Sequence, residues 1–121
     1  MTNDVQLEEV AARLGEPGLV VLDVRTPEEF DGSSGAPCDP RQGHIPGARN
    51  VNVLELAAAA SAEEVQSLID APEGTEIVAY CHSGSRSEVA AEILRAAGYA
   101  ARNYRGSWHE WSRREDLPVE S

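Results

Sequence analysis

One cysteine stands where chemistry is easiest to arrange. Cys81 follows the apolar run Glu76-Ile77-Val78-Ala79-Tyr80 and precedes His82-Ser83-Gly84-Ser85-Arg86-Ser87, a stretch of small and polar residues that leads into a helical pattern. In open α/β sheets ligands bind beyond the carboxyl ends of the strands, which is where a residue in this position stands. Loop amides and an open helix N-terminus converge on one spot in such a turn and make an anion cradle beside the sulfur. That field, with a nearby arginine, favours thiolate over thiol, and the thiolate is the nucleophile. The competing reading is a small buried apolar cysteine at a strand end, a common use of the residue.

Other reactive residue types are sparse. Cys38 lies in a Gly-, Ser-, Pro- and Asp-rich stretch and reads as an incidental exposed thiol. The sharper alternative is a resolving partner for Cys81. His44, inside Gly43-His44-Ile45-Pro46, reads as a structural histidine, and His109 as solvent-facing. Asp23 and Arg25 close an apolar strand and need partners if buried; a brace between Asp23 and Arg86 is one arrangement. Trp108 and Trp111 read as packing for the last helix. No His/Cys set has zinc-ligand spacing and no Gly-rich nucleotide loop is present, so neither a metal nor an organic cofactor is expected.

The elements that position Cys81 follow from periodicity. Leu7, Val10, Ala11 and Leu14 form a helical stripe stopped by Gly15. Residues 19–24 read as a strand covered on both faces. Thr26-Pro27-Glu28-Glu29 is a helix start with a capping box. Residues 31–42 form a surface loop, and a short strand is expected at about residues 50–53. Residues 57–60 read as helical, and Ser61-Ala62-Glu63-Glu64 opens a helix through a second capping box. After the strand at 76–80, a helix begins at about Arg86, with Ser85-Arg86-Ser87-Glu88 as a third box and Gly98 at its end. Residues 100–104 read as a weak strand, residues 108–114 as a short helix and residues 118–121 as a polar tail. Strands alternating with helices predict an α/β fold: a central parallel sheet of about five strands with helices on both faces.

Composition narrows the partners. The chain has 121 residues, which is the size of a single domain over 1–121. Ten arginines and no lysine face 21 acids, for a net charge of −11. A general nucleic-acid binder needs a basic face, and anionic membranes repel such a chain. No apolar run approaches the roughly 20 residues that span a bilayer, and the start Met1-Thr2-Asn3-Asp4-Val5-Gln6 lacks signal-peptide character. A cytoplasmic monomer is the expectation. Two cysteines are too few for a disulfide framework.

Four ordered pieces then carry a resemblance. Leu22-Asp23-Val24-Arg25 with Pro27-Glu28-Glu29-Phe30, Gly43-His44-Ile45-Pro46-Gly47-Ala48-Arg49-Asn50-Val51, Tyr80-Cys81-His82-Ser83-Gly84-Ser85-Arg86-Ser87 running into Ala90-Ala91 and Leu94, and Gly106, Trp108 and Trp111 before Leu117-Pro118-Val119 resemble the signatures of the rhodanese-like sulfurtransferases. The resemblance implies that Cys81 takes a sulfane sulfur from thiosulfate or a persulfide donor and passes it to cyanide, a thiol or an acceptor protein. His82, Ser83, Gly84, Ser85 and Arg86 would then bind the small anionic donor. Related phosphatases and arsenate reductases have five residues between cysteine and arginine; here four intervene, a smaller ring suited to one sulfur atom. His82 replaces the arginine or lysine frequent at its position. Residues 31–42 resemble an insertion found in some thiosulfate sulfurtransferases. The alternatives are a non-catalytic rhodanese-like binding or regulatory module and, less favoured by the loop length, a cysteine-dependent phosphatase or arsenate reductase.

Overall fold

The computed structural model describes residues 3–121; Met1 and Thr2 of the opening stretch read above lie outside them. Five strands, β1 (Asp4–Val5), β2 (Leu19–Asp23), β3 (Arg49–Asn50), β4 (Glu76–Tyr80) and β5 (Ala100–Tyr104), pair in parallel in the order β1-β5-β4-β2-β3. In the middle of the sheet Val20 pairs with Ile77 and Asp23 with Tyr80, while Ile77 pairs with Ala101. Six helices, α1 (Leu7–Ala12), α2 (Pro27–Asp31), α3 (Val53–Ala58), α4 (Ala62–Ile69), α5 (Ser85–Ala96) and α6 (Ser107–Trp111), complete the α/β fold.

Strand alternation sorts the core into two layers, because successive side chains leave opposite faces of a sheet. Val20, Leu22, Ile77, Ala79 and Ala101 pack under α3, α4 and α5 through Leu56, Val65, Ile69, Ala90 and Leu94. Val21, Val78, Tyr80 and Tyr104 pack under α1 and α6 through Leu7, Val10, Trp108 and Trp111. Cys81 keeps the parity of Ile77 and Ala79, so it belongs to the first layer and lies on the α5 side. Both tryptophans are fully buried, in keeping with a packing role.

Several boundaries differ from the periodicity reading, each for a local reason. The strand expected at 50–53 stops at Asn50, because Asn52 caps α3: its side chain accepts from Leu54 N, and Glu55 reaches back to the Asn52 backbone. That helix ends at Ala58, so Ala59 and Ala60 lie beyond it. Ser61 caps α4 through Glu64 N, but Glu64 accepts from Ala60 N, which leaves half a box. The Thr26–Glu29 box is complete. No box forms at Ser85: Gly84 is the cap residue, the helix starts one residue early, and Glu88 turns outward to Arg105 at 2.7 Å. The two-residue β1 gave no periodic signal, yet it flanks β5, which is therefore an interior strand.

Residues 118–121 do not hang free. Glu120 exchanges backbone hydrogen bonds with His44, at 2.7 and 2.9 Å. The close pass needs a glycine, because a Cβ on Gly43 (φ +123°) would stand 2.2 Å from the Glu120 carbonyl oxygen. The surface loop read at 31–42 starts one residue later, because Asp31 closes α2 and Gly32 caps it, and it is anchored at two points. Arg41 donates to the carbonyl oxygens of Trp111 and Ser112 at the end of α6 and of Arg114 and Leu117 in the segment that follows. Asp39 is buried against the active-site loop, described below.

Candidate active site

The carboxyl ends of β2 and β4 lie side by side and present Asp23-Val24-Arg25 and Tyr80-Cys81 at one edge. Asp23 and Arg25 are both buried, and they pair with each other: Arg25 Nη2 lies 2.7 Å from Asp23 Oδ2 and Nε 3.0 Å from Oδ1. The brace between Asp23 and Arg86 is therefore not formed. Arg25 also donates to the Gly43 carbonyl at 2.6 Å and lies 5.1 Å from the Trp108 ring centre, so one guanidinium ties the β2 end to the following loop and to α6. Arg86 pairs instead with Glu29, at 2.9 and 3.2 Å. Burial pushes the Glu29 carboxyl up, but Arg86 and the Thr26 N–H outweigh it and hold it down at about 2.

Cys81 is buried, with its sulfur inside a ring of donors. Gly84 N–H points at Sγ across 3.1 Å, and the Ser87 hydroxyl oxygen lies 3.4 Å from it. Burial raises the thiol pKa. The Ser87 hydroxyl and the backbone N–H groups of Ser87, Gly84 and Ser83 act against it and prevail, so the thiol lies below its ordinary value. The first turn of α5 carries no side-chain cap, and this leaves its N–H groups for the sulfur. The loop adopts this curl through Gly84, whose φ is +96° and whose missing Cβ would sit 2.5 Å from the Arg105 carbonyl oxygen.

The walls of the ring come from β5 and α6. The Ser87 hydroxyl also faces Asn103 Oδ1 at 2.6 Å, and with one proton it serves either that oxygen or the sulfur at a given moment. Asn103 Nδ2 donates to the Gly84 carbonyl at 3.1 Å and so holds the loop. Ser107 Oγ accepts from Cys81 N, while the N–H groups of Trp108 and His109 donate to the carbonyls of Cys81 and His82, both at 2.9 Å. Ser107, Asn103 and Asp39 carry no sequence signal for the site beyond polarity, and Glu29 is legible only as part of a capping box. The only available signal was polarity: Asn103 and Ser107 flank an apolar strand end that has to be buried.

Ser83 is exposed on the loop and Ser85 at the start of α5, Gly84 is buried and Arg86 is half-buried. His82 is half-buried, with Nε2 3.0 Å from Asp39 Oδ2. His109 is not simply solvent-facing; its ring meets that of His82 edge-on at 5.5 Å. Cys38 is exposed and free, but its sulfur lies 3.9 Å from Asp39 Oδ1, so it borders the same group. His44 has the structural role read for it: Nδ1 donates to the Phe30 carbonyl at 2.7 Å and the ring stacks on Phe30 at 3.7 Å. Beside Ser83 a cleft of about 470 Å³ opens, lined among others by Arg105, His109, Arg113 and Arg114.

The parallel sheet, the cysteine loop at its edge and the bracing signatures together define the class. The rhodanese-like domain family matches residues 6–114, and the chain belongs to that family. It is 31% identical over 121 residues to the thiosulfate sulfurtransferase of Pseudomonas aeruginosa, covering 93% of this chain and 44% of the relative. It is 35% identical over 120 residues to the thiosulfate sulfurtransferase of Azotobacter vinelandii, covering 89% and 42%. The solved structure of a probable thiosulfate sulfurtransferase superposes with a TM-score of 0.82 at 43% identity, covering 97% of this chain and 47% of that one. The chain thus spans less than half the length of these relatives. Among the described residues, no helix is long and apolar enough to cross a membrane.

Proposed function

We propose that this chain is a sulfurtransferase whose Cys81 carries sulfur as a persulfide. The Cys81 thiolate attacks the outer sulfur of thiosulfate. A new S–S bond forms, the S–S bond of the donor breaks, and sulfite leaves with its electron pair. An acceptor such as cyanide or a thiolate then attacks the outer sulfur of the persulfide, and the Cys81 thiolate departs and is regenerated. The backbone N–H groups of Ser83, Gly84 and Ser87 favour the anion at both stages, because a persulfide is an anion placed one atom further out. His82, Ser83, Gly84, Ser85 and Arg86 surround the incoming donor, beside a cleft whose arginines are each paired with a carboxylate.

The observation that carries this reading is the Gly84 N–H aimed at a buried sulfur across 3.1 Å, within a loop that lowers the thiol against the effect of its own burial. A merely structural cysteine needs no such donors. The names of the relatives and the four-residue loop support sulfur transfer over phosphate chemistry. Thiocyanate release from thiosulfate and cyanide is the test. The wild-type chain is expected to turn over, and Cys81→Ser is expected to lose turnover entirely while keeping its fold. Equal rates for the two would overturn the assignment.

A further inference from the structure

Four donor groups meet at the mouth of the active-site loop with no sequence spacing to announce them. Cys38 and Asp39 come from the 31–42 loop, His82 from the turn after β4 and His109 from α6. One ligand atom from each lies within 4.8 Å of all the others. His82 Nε2 stands 3.0 Å from Asp39 Oδ2, while His109 Nδ1 and Cys38 Sγ each stand 3.9 Å from Asp39 Oδ1. An ion with bonds of about 2.3 Å to sulfur and about 2.0–2.2 Å to nitrogen and oxygen separates tetrahedral ligand atoms by roughly 3.2–3.7 Å. The side chains therefore have little distance to travel.

A second observation points the same way. The Asp39 side chain is only 1% exposed. Arg113 Nη1 donates to Oδ1 at 3.0 Å, yet Oδ2 has no hydrogen-bond partner among the described residues. His82 Nε2 hydrogen-bonds Oδ1 at 3.2 Å and only approaches Oδ2, at 3.0 Å. A buried carboxylate oxygen without a donor is costly, and a coordinated cation satisfies it. Arg113 also donates to the Cys38 carbonyl at 2.8 Å, so one guanidinium braces two of the four ligands from behind.

We propose that Cys38, Asp39, His82 and His109 bind one tetrahedral divalent transition-metal ion of the zinc type. The donor set of one sulfur, one oxygen and two imidazole nitrogens matches the preferences of such an ion. One thiolate and one carboxylate balance its double charge. On binding, the Cys38 S–H proton leaves to solvent as the metal–sulfur bond forms, and no electrons change hands. Exposed Cys38 and half-exposed His109 leave the site open to entry. Occupancy fixes the His82 ring one residue from Cys81, at the point where a donor enters. The site does not depend on Cys81 chemistry, so it stands or falls separately from sulfur transfer.

Cobalt is the probe, titrated into the Cys81→Ser chain so that the catalytic thiol cannot contribute. One equivalent should give intense tetrahedral d–d bands with a thiolate-to-cobalt charge-transfer band, and zinc should displace it. Adding Cys38→Ser should abolish the charge-transfer band. His109→Ala should weaken binding by more than about tenfold, because even outer-shell changes around metal sites cost about 10- to 100-fold. Circular dichroism of each variant checks the fold. A weak octahedral spectrum, a spectrum indifferent to both substitutions, or no saturation at one equivalent would overturn the site.

Discussion

Thiolate chemistry at Cys81 depends on which groups reach the sulfur, and Ser87 is the one side chain among them. Its single proton is divided between the sulfur and Asn103, so removing the hydroxyl strips one donor while the backbone N–H groups stay. Ser87→Ala is expected to raise the Cys81 thiol pKa and to slow its alkylation at pH 7 by about 5-fold, the worth of one hydrogen bond of about 1 kcal/mol. The pH profile of iodoacetamide labelling reads this directly. An unchanged profile would mean that the backbone alone sets the thiol. The Arg86–Glu29 pair behaves differently, because its pH dependence lies far below neutrality. Glu29 is depressed in the folded chain from its ordinary value of 4.5 to about 2. Its stabilisation is therefore complete above about pH 4.5 and is lost as pH falls towards 2. Arg86 is partly exposed, which reduces the contribution to about 1–2 kcal/mol. Urea unfolding of wild type and Glu29→Gln should differ by that amount at pH 6 and converge near pH 2.

At the scale of elements, the loop and α6 form one unit with the active-site turn. Arg41 holds four carbonyls at the end of α6 and in the segment after it, and the start of the same helix donates to the carbonyls of Cys81 and His82. Arg41→Ala is expected to cost about 2 kcal/mol, since hydrogen bonds from a charged donor are among the stronger ones. It should also speed hydrogen exchange at Trp108 and His109, whose amides hold the turn. Loss of stability without faster exchange at these amides would separate the clamp from the site. These contacts explain what the sequence could and could not disclose. The strands at 19–24 and 76–80, the Thr26 box and the turn at Cys81 were legible because periodicity and capping are local. The pairing of Arg86 with Glu29, the burial of Asp39 and the choice of Gly84 over Ser85 as cap were not, because each depends on residues brought from distant parts of the chain. Ser85–Glu88 obeys the capping rule, but the left-handed Gly84 and the outward pull of Arg105 decide against it. The short β1 was missed for a related reason: two residues are too few for a pattern.

For the whole molecule, the opposing scales are a net charge of −11 and a local cradle that invites anions. The long-range field repels thiosulfate until it reaches the loop, whereas the loop contacts act at bonding distance and are screened far less. Raising ionic strength from about 0.01 to 0.15 M shortens the Debye length from about 30 to about 8 Å. The kcat/KM for thiosulfate is therefore expected to rise with salt, several-fold, with kcat unchanged. A fall would show that the arginines of the neighbouring cleft, not the net charge, govern the approach of the donor. Stability at this scale rests in part on the buried Asp23–Arg25 pair, which joins β2, the loop at Gly43 and α6. Arg25→Met leaves Asp23 buried without its partner and is expected to cost about 3–5 kcal/mol in chemical denaturation.

The central claim is that Cys81 carries sulfur, and the intact mass of the protein tests it most directly. The wild-type chain and Cys81→Ser would be incubated with excess thiosulfate, freed of small molecules and weighed, then treated with cyanide and weighed again. A gain of one sulfur atom in the wild type alone, removed by cyanide, is the predicted result. A wild-type mass that never changes, or an equal gain in the Cys81→Ser chain, would contradict the account.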